Sequence, residues 1–272
     1  MSLLERTKFL LRKHRIYPKE SLGQNFLVDS SIFHLLADYC SLNSKDVVLD
    51  IGAGLGFLTR FLAEVCSEVV AVESDKRLVK VLQEQLKDLS NVKMIWGDVL
   101  KVKLPHFNKI VSIPPYHISS PLLLWLFSKD FDCAVLIFQK EFAHRLFASV
   151  GSEDYGWLAV VAYYFVDVEI FDDVPKWMFY PQPEVDSVVV RLKPKKPKPF
   201  DLNNRDFFIR LTQSLFAHRN RKVRNAIFPF LKGFCGMKVD EAAKKIENFP
   251  FFNKRVRELA PEDFGALANA LV

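Results

Sequence analysis

Ten residues, Val47-Val48-Leu49-Asp50-Ile51-Gly52-Ala53-Gly54-Leu55-Gly56, limit what this chain can fold into more than any other stretch. A short apolar run ended by glycine is how a fully covered parallel strand looks in sequence. Glycines at alternate positions let the backbone take otherwise strained angles and approach a ligand closely. Phe57 to Val65 then reads as an apolar-rich helix whose free N–H groups point back at the same turn. Together these features predict a nucleotide-like ligand site at the carboxyl end of a first strand. The spacing is Gly-x-Gly-x-Gly, not the Gly-x-Gly-x-x-Gly of the dinucleotide fingerprint. A ligand-free packing of helix on strand would also favour small residues here, so the turn needs support from elsewhere in the chain.

The rest of the chain supplies it. A short basic helix in residues 1–20 ends at Pro18, and Asp29 or Ser30 caps a helix through Tyr39. Further strands are expected at 68–74, 92–98, 109–112 and 133–138, with helices at 76–89 and 120–127 between them. Alternation of strand and helix predicts a doubly wound, mostly parallel α/β sheet with right-handed crossovers. From about Gly151 the rhythm changes: Trp157 to Phe171 mixes helix and strand, and Ser187–Leu192 reads as a last strand. Lys193-Pro194-Lys195-Lys196-Pro197-Lys198-Pro199 reads as a stiff, solvated linker. Helical spacing at 206–217, 222–230, 239–246 and 261–271 predicts a small all-helical domain over 200–272, after a first domain over 1–199.

Composition removes several function classes. No apolar run reaches the eighteen or so residues of a membrane span, and the N-terminus lacks an apolar signal core. The four cysteines, Cys40, Cys66, Cys133 and Cys235, are far apart, as expected of reduced thiols in a cytoplasmic protein without a metal site. The net charge of +6 is modest but clustered. One group is Arg6, Lys8, Arg12, Lys13, His14 and Arg15; another is Lys193, Lys195, Lys196 and Lys198; a third is His218, Arg219, Arg221, Lys222 and Arg224. One such cluster is ordinarily a solvated helix face, but three in one chain point to a nucleic acid.

In a doubly wound sheet, acids ending neighbouring strands fall into the crevice of the glycine turn. Glu73, about twenty residues past the glycines, is placed to accept from ribose hydroxyls, and Asp98 to reach an adenine amino group. Ile113-Pro114-Pro115-Tyr116 follows the next strand. Two prolines remove backbone donors and leave carbonyls as acceptors, while Tyr116 offers a flat ring for stacking.

The combination of Leu22-Gly23-Gln24-Asn25-Phe26-Leu27, Asp50 to Gly56, Glu73, Gly97-Asp98, Pro115 to Pro121 and Phe179 to Ser187 resembles the small-subunit rRNA adenine N6,N6-dimethyltransferases. Phe216 to Ala226 is similar to their C-terminal domain. The resemblance covers nearly the whole chain. It implies a seven-stranded S-adenosylmethionine-dependent methyltransferase that dimethylates two adjacent adenosines in the 3′-terminal hairpin loop of 16S rRNA. It also implies an assembling small subunit as partner, no metal, and a monomer working in the cytoplasm. By that resemblance Gln24, Asn25, Leu27, Gly52, Gly54, Glu73, Ser74, Asp98, Val99 and Ser112 belong to the cofactor site. Ile113, Pro114, Pro115, Tyr116 and Phe179 belong to the catalytic site, with Tyr116 and Phe179 sandwiching the target adenine.

One residue departs from the pattern. The family carries a polar side chain, most often Asn, where this chain has Ile113, and that side chain accepts from the target amine. The Pro114 carbonyl is left as an acceptor, with Ser112 next door. Three alternatives share parts of the signal: a large-subunit rRNA adenine methyltransferase, a ribosome-assembly factor with weakened catalysis, and a nicotinamide-dependent oxidoreductase. Glycine spacing and the Pro-Pro-Tyr segment disfavour the last.

Overall fold

A computed structural model describes residues 1–234, 238, 240, 241, 244 and 247–272. The chain opens with helix α1 (Leu3–Lys13), a two-residue strand β1 (Phe26–Leu27) and helix α2 (Ser31–Tyr39). Alternation follows: β2 (Val47–Ile51), α3 (Phe57–Val65), β3 (Glu68–Glu73), α4 (Lys76–Gln85), β4 (Val92–Trp96), β5 (Lys109–Ser112), α5 (Ser119–Phe127) and β6 (Cys133–Gln139). Then come α6 (Lys140–Arg145), α7 (Trp157–Phe165), β7 (Val166–Val174), β8 (Phe179–Tyr180) and β9 (Ser187–Pro194). The described C-terminal helices are α8 (Arg205–Phe216), α9 (Val223–Ala226), α10 (Phe228–Phe234) and α11 (Pro261–Leu271). Of the helix expected at 239–246 only residues 240, 241 and 244 are described, and all three are helical; the remainder lies outside the described residues.

Seven strands make one sheet in the order β4-β3-β2-β5-β6-β9-β7. β2 runs parallel to both β3 and β5, β3 to β4 and β5 to β6, while β9 pairs antiparallel with β6. Chain order reverses beside β2, so a crevice opens at its carboxyl end. The central strands are apolar along their length because both faces are covered. Val48, Leu49, Val69, Val70, Ile110 and Val135 are all fully buried. Burying each such side chain contributes about 1.5–3 kcal/mol, which is what fixes the strand ends in place.

The described residues fall into two compact units. One comprises 1–143 and 169–194 and holds most of the sheet; the other comprises 144–168 and 195–272 and is mainly helical. This division differs from a boundary near 199, because α7 is apolar on nearly every side and packs with α8 and α11. The Lys–Pro stretch also differs from a free linker. Lys193 and Pro194 end β9, and the Lys195 and Lys198 ammonium groups donate to the carbonyls of Tyr163 and Phe165 at 2.8 and 2.9 Å. Three cysteines, Cys40, Cys66 and Cys133, are buried free thiols, and Cys235 lies outside the described residues. No helix among the described residues is long and apolar enough to cross a membrane.

Candidate active site

The turn after β2 is built on backbone that only glycine adopts easily. Gly52, Gly54 and Gly56 have φ of +75°, +59° and +84°. A Cβ on Gly52 would lie 2.9 Å from Cδ of Pro115, so the turn and the Pro-Pro segment touch. The Gly54 N–H donates to Oε2 of Glu73 at 2.9 Å, and the Asp75 N–H donates to its Oε1 at 2.8 Å. The Ser74 N–H also acts on this carboxylate, which leaves it acceptor capacity for one further donor. Glu73 is buried, and desolvation raises its pKa from the ordinary carboxylate value.

Beside it stands an acid that sequence reasoning did not single out. Asp50 is buried at the end of β2, and its Oδ2 accepts from the Thr59 hydroxyl of α3 at 2.7 Å. Burial first, and the charge of Glu73 second, push its carboxyl up to about 7. The rule that picked Glu73 and Asp98, an acid closing a strand, finds Asp50 when applied to the first strand as well.

Two recesses meet at Gly52. One, about 60 Å³, is lined by Asn25, Leu27, Asp50, Gly52, Gly54 and Ile113 among others. The other, about 210 Å³, is lined by Ile51, Gly52, Val72, Ser74, Asp98, Val99 and Pro115, with His117 and Ile118 at one side. Asp98 accepts from the Leu100 N–H at 3.0 Å and faces the Lys101 ammonium at 3.3 Å. A third cavity, about 500 Å³, is lined by Gln24, Asn25, Tyr116, His117, Gln139 and the Pro181–Glu184 loop, with Pro18 and Gly23. Asn25 thus forms part of the wall of both the 60 Å³ recess and the larger cavity.

The segment carrying Asn25 is held at both ends. Nε2 of Gln24 donates to Oδ2 of Asp75 at 2.8 Å, and β1 pairs antiparallel with β8 so that Leu27 faces Phe179. Neither two-residue strand is visible in the sequence, because so short a pairing leaves no periodicity. The Tyr116 hydroxyl and Oγ of Ser187 lie 2.6 Å apart in a hydrogen bond. Burial pushes the Tyr116 phenol up to about 12, so it remains protonated and is no general base. The ring is a surface, not a proton carrier.

Three expected site residues sit differently from the rest. Ser112 is fully buried, and its hydroxyl accepts from the Ile51 N–H at 3.0 Å and donates to the Ile51 carbonyl at 2.6 Å. It ties β5 to β2 and lines none of the three cavities. Phe179, only 3% exposed, belongs to the core cluster of Leu27, Phe33 and Ile137 and lines none of the three cavities. Pro114 is buried as well, and its carbonyl accepts no hydrogen bond from the described residues. Among the described residues no group of His, Cys, Asp and Glu could hold a metal ion.

The basic clusters are unequal. In the first, Lys13 pairs with Glu84, whose other oxygen lies 3.1 Å from Nε2 of His14, and Arg6 donates to Oε1 of Gln85 at 2.8 Å. In the third, the Arg219 guanidinium donates to the carbonyls of Glu153 and Ser152 at 2.8 and 3.0 Å, whereas Arg221, Lys222 and Arg224 are exposed.

Comparison with known proteins agrees with this architecture. A protein from Methanosarcina acetivorans named probable ribosomal RNA small subunit methyltransferase A is 39% identical over 92% of this chain and 93% of its own length. One of the same name from Methanopyrus kandleri is 36% identical over 100% of this chain and 98% of its own. Among solved structures, a dimethyladenosine transferase from Plasmodium falciparum superposes with a TM-score of 0.76 at 29% identity, covering 89% of this chain and 95% of that one. The 23S rRNA methyltransferase ErmE gives 0.63 at 25% identity, covering 91% and 99%. The family model described as ribosomal RNA adenine dimethylase matches residues 17–250. With fold, crevice and relatives in agreement, this chain belongs to the ribosomal RNA adenine dimethylase family.

Proposed function

We propose that this protein transfers methyl groups from S-adenosylmethionine to N6 of two adjacent adenosines near the 3′ end of small-subunit rRNA, during subunit assembly. The observation that carries this reading is the shared wall at Asn25, where the recess of the glycine turn borders a cavity large enough for a base. Donor and acceptor can then meet without either leaving its own site. The names of the relatives and the exposed basic residues support an RNA substrate.

The residues present fit an amino-acid nucleoside. Apolar walls from Ile51, Val72 and Val99, with Asp98 at the edge, suit an adenine ring and its amino group. Glu73, with remaining acceptor capacity, suits a ribose hydroxyl, and the buried Asp50 beside Gly52 and Gly54 suits an ammonium group. When bound, S-adenosylmethionine supplies an electrophilic methyl group on a sulfonium sulfur.

The chain's own residues do the remaining work. The lone pair of an adenine amine is delocalised into the ring, so the amine is a poor nucleophile. Acceptors aimed at its hydrogens favour the pyramidal amine and stabilise the transition state selectively. With Ile113 in place of a polar residue, the Pro114 carbonyl, which has no partner among the described residues, is the backbone acceptor available. Tyr116, oriented by Ser187, offers the stacking surface for a base taken out of its helix, a contact worth about 1–3 kcal/mol.

The test is incubation of unmethylated small and large subunits, separately, with labelled S-adenosylmethionine, followed by mapping of the label. We expect it in adjacent adenosines of the small subunit. Label confined to the large subunit would transfer the assignment to the type of enzyme that ErmE represents.

A further inference from the structure

Several polar side chains line the base cavity without an assigned task, among them Glu20, His117 and Gln139, and Gln139 is the one that ends a strand of the central sheet. Gln139 is the last residue of β6, half-buried, and lines the same cavity as Tyr116 and Asn25. Its backbone is paired directly opposite Ser187 in the antiparallel β6–β9 ladder. Residues facing each other across such a ladder put their side chains on one face of the sheet. Ser187 uses that face to hold the Tyr116 hydroxyl at 2.6 Å, so the Gln139 amide stands on the face against which Tyr116 is anchored. Among the described residues that amide has no hydrogen-bond partner, unlike Gln24, whose side chain is engaged with Lys19 and Asp75.

A partly buried amide without a partner carries a cost that a ligand can remove, because it brings one carbonyl acceptor and two N–H donors. Adenine presents an exocyclic amine next to a ring nitrogen, so a glutamine amide can accept from the first while donating to the second. At Ile113 the chain has lost its side-chain acceptor on one side of the cavity system; Gln139 offers one on another.

We infer that Gln139 is a specificity-determining residue that reads the exocyclic amine of the target adenine through its side-chain carbonyl. This rests on the proposed rRNA methyltransferase function, and it assigns the acceptor role to a strand-end residue outside the Pro-Pro-Tyr segment.

The test is a cycle between the side chain and the amine. Small subunits are reconstituted with rRNA carrying either adenosine or purine riboside, which lacks the amine, at the two target positions. Binding of the full-length protein is measured with S-adenosylhomocysteine present. Wild type should favour adenosine subunits on the order of tenfold, the scale of one good side-chain-to-base pairing. Gln139→Leu should abolish that preference by weakening adenosine binding alone, with purine binding unchanged. Gln139→Ala, which only shortens the side chain, carries the same expectation if the leucine variant does not fold. Equal wild-type affinity for the two subunits, a preference that survives in the variants, or an equal loss for both subunits would each overturn the assignment. Failure of wild type to bind either subunit would instead remove the function on which it rests.

Discussion

Asp50 shows how one residue ties stability to the site. Its folded pKa, about 7, lies above the unfolded value of about 3.9, so folding favours the protonated form. Its contribution is therefore fully present below about pH 4, is lost as pH rises toward about 7, and then levels off. Glu73 is shifted in the same direction by its own burial. Asp50→Asn keeps an oxygen for the Thr59 hydroxyl but cannot ionise. The variant should gain stability relative to wild type between about pH 4 and pH 8, by up to about 4 kcal/mol, read from urea midpoints. A constant difference across that range would mean that Asp50 does not titrate there. The Tyr116–Ser187 bond gives a second test at this scale. Tyr116→Phe and Ser187→Ala should each slow single-turnover methyl transfer a few-fold and be clearly non-additive together, since either removes the same bond. Tyr116→Ala should cost about ten- to a hundredfold, the value of the stack. Additive effects of the first pair would show that the bond does not orient the ring.

At the scale of elements, the strand–glycine–helix unit was legible for direct physical reasons. Helix Phe57–Val65 and strand Lys109–Ser112 occur at the residues that the pattern marks, because a covered parallel strand must be apolar and glycine must end it. The β1–β8 pairing was not legible, and neither was the bond from Gln24 to Asp75; both join residues far apart in sequence and leave no local signature. Phe179 and Ser112 illustrate the same limit. Their types suit a site, but nothing local in the sequence shows that Phe179 pairs with Leu27 and is buried, or that the β2–β5 contact engages the Ser112 hydroxyl. Gln139 was missed because a lone glutamine after an apolar strand carries no motif. The turn itself yields a prediction. Gly52→Ala forces a side chain into φ +75° and a 2.9 Å approach to the Pro115 ring. It should cost about 1–3 kcal/mol of stability and weaken S-adenosylmethionine binding at least tenfold by calorimetry. Unchanged affinity in the folded variant would place the cofactor elsewhere.

For the whole molecule, positive charge is divided between structure and substrate. Arg219 holds the 152–153 carbonyls, so Arg219→Ala should lower stability by about 1 kcal/mol. Arg221 and Arg224 are exposed and make no side-chain bond among the described residues, so replacing both by alanine should weaken small-subunit binding and reduce its salt slope by about two. An unchanged slope would mean that they meet no phosphate. The central claim is that a family member with Ile113 in place of a side-chain acceptor still catalyses methyl transfer. Losing one preorganised acceptor costs on the order of 3 kcal/mol at the transition state, which slows an enzyme without abolishing its activity. The most direct measurement is the single-turnover rate on unmethylated small subunits for wild type and Ile113→Asn, with the product nucleoside identified. The account predicts N6,N6-dimethyladenosine from both, formed faster by Ile113→Asn, with cofactor affinity little changed. Methyl transfer by Ile113→Asn alone, with none from wild type on any unmodified subunit, would contradict it and make the natural chain a binding factor.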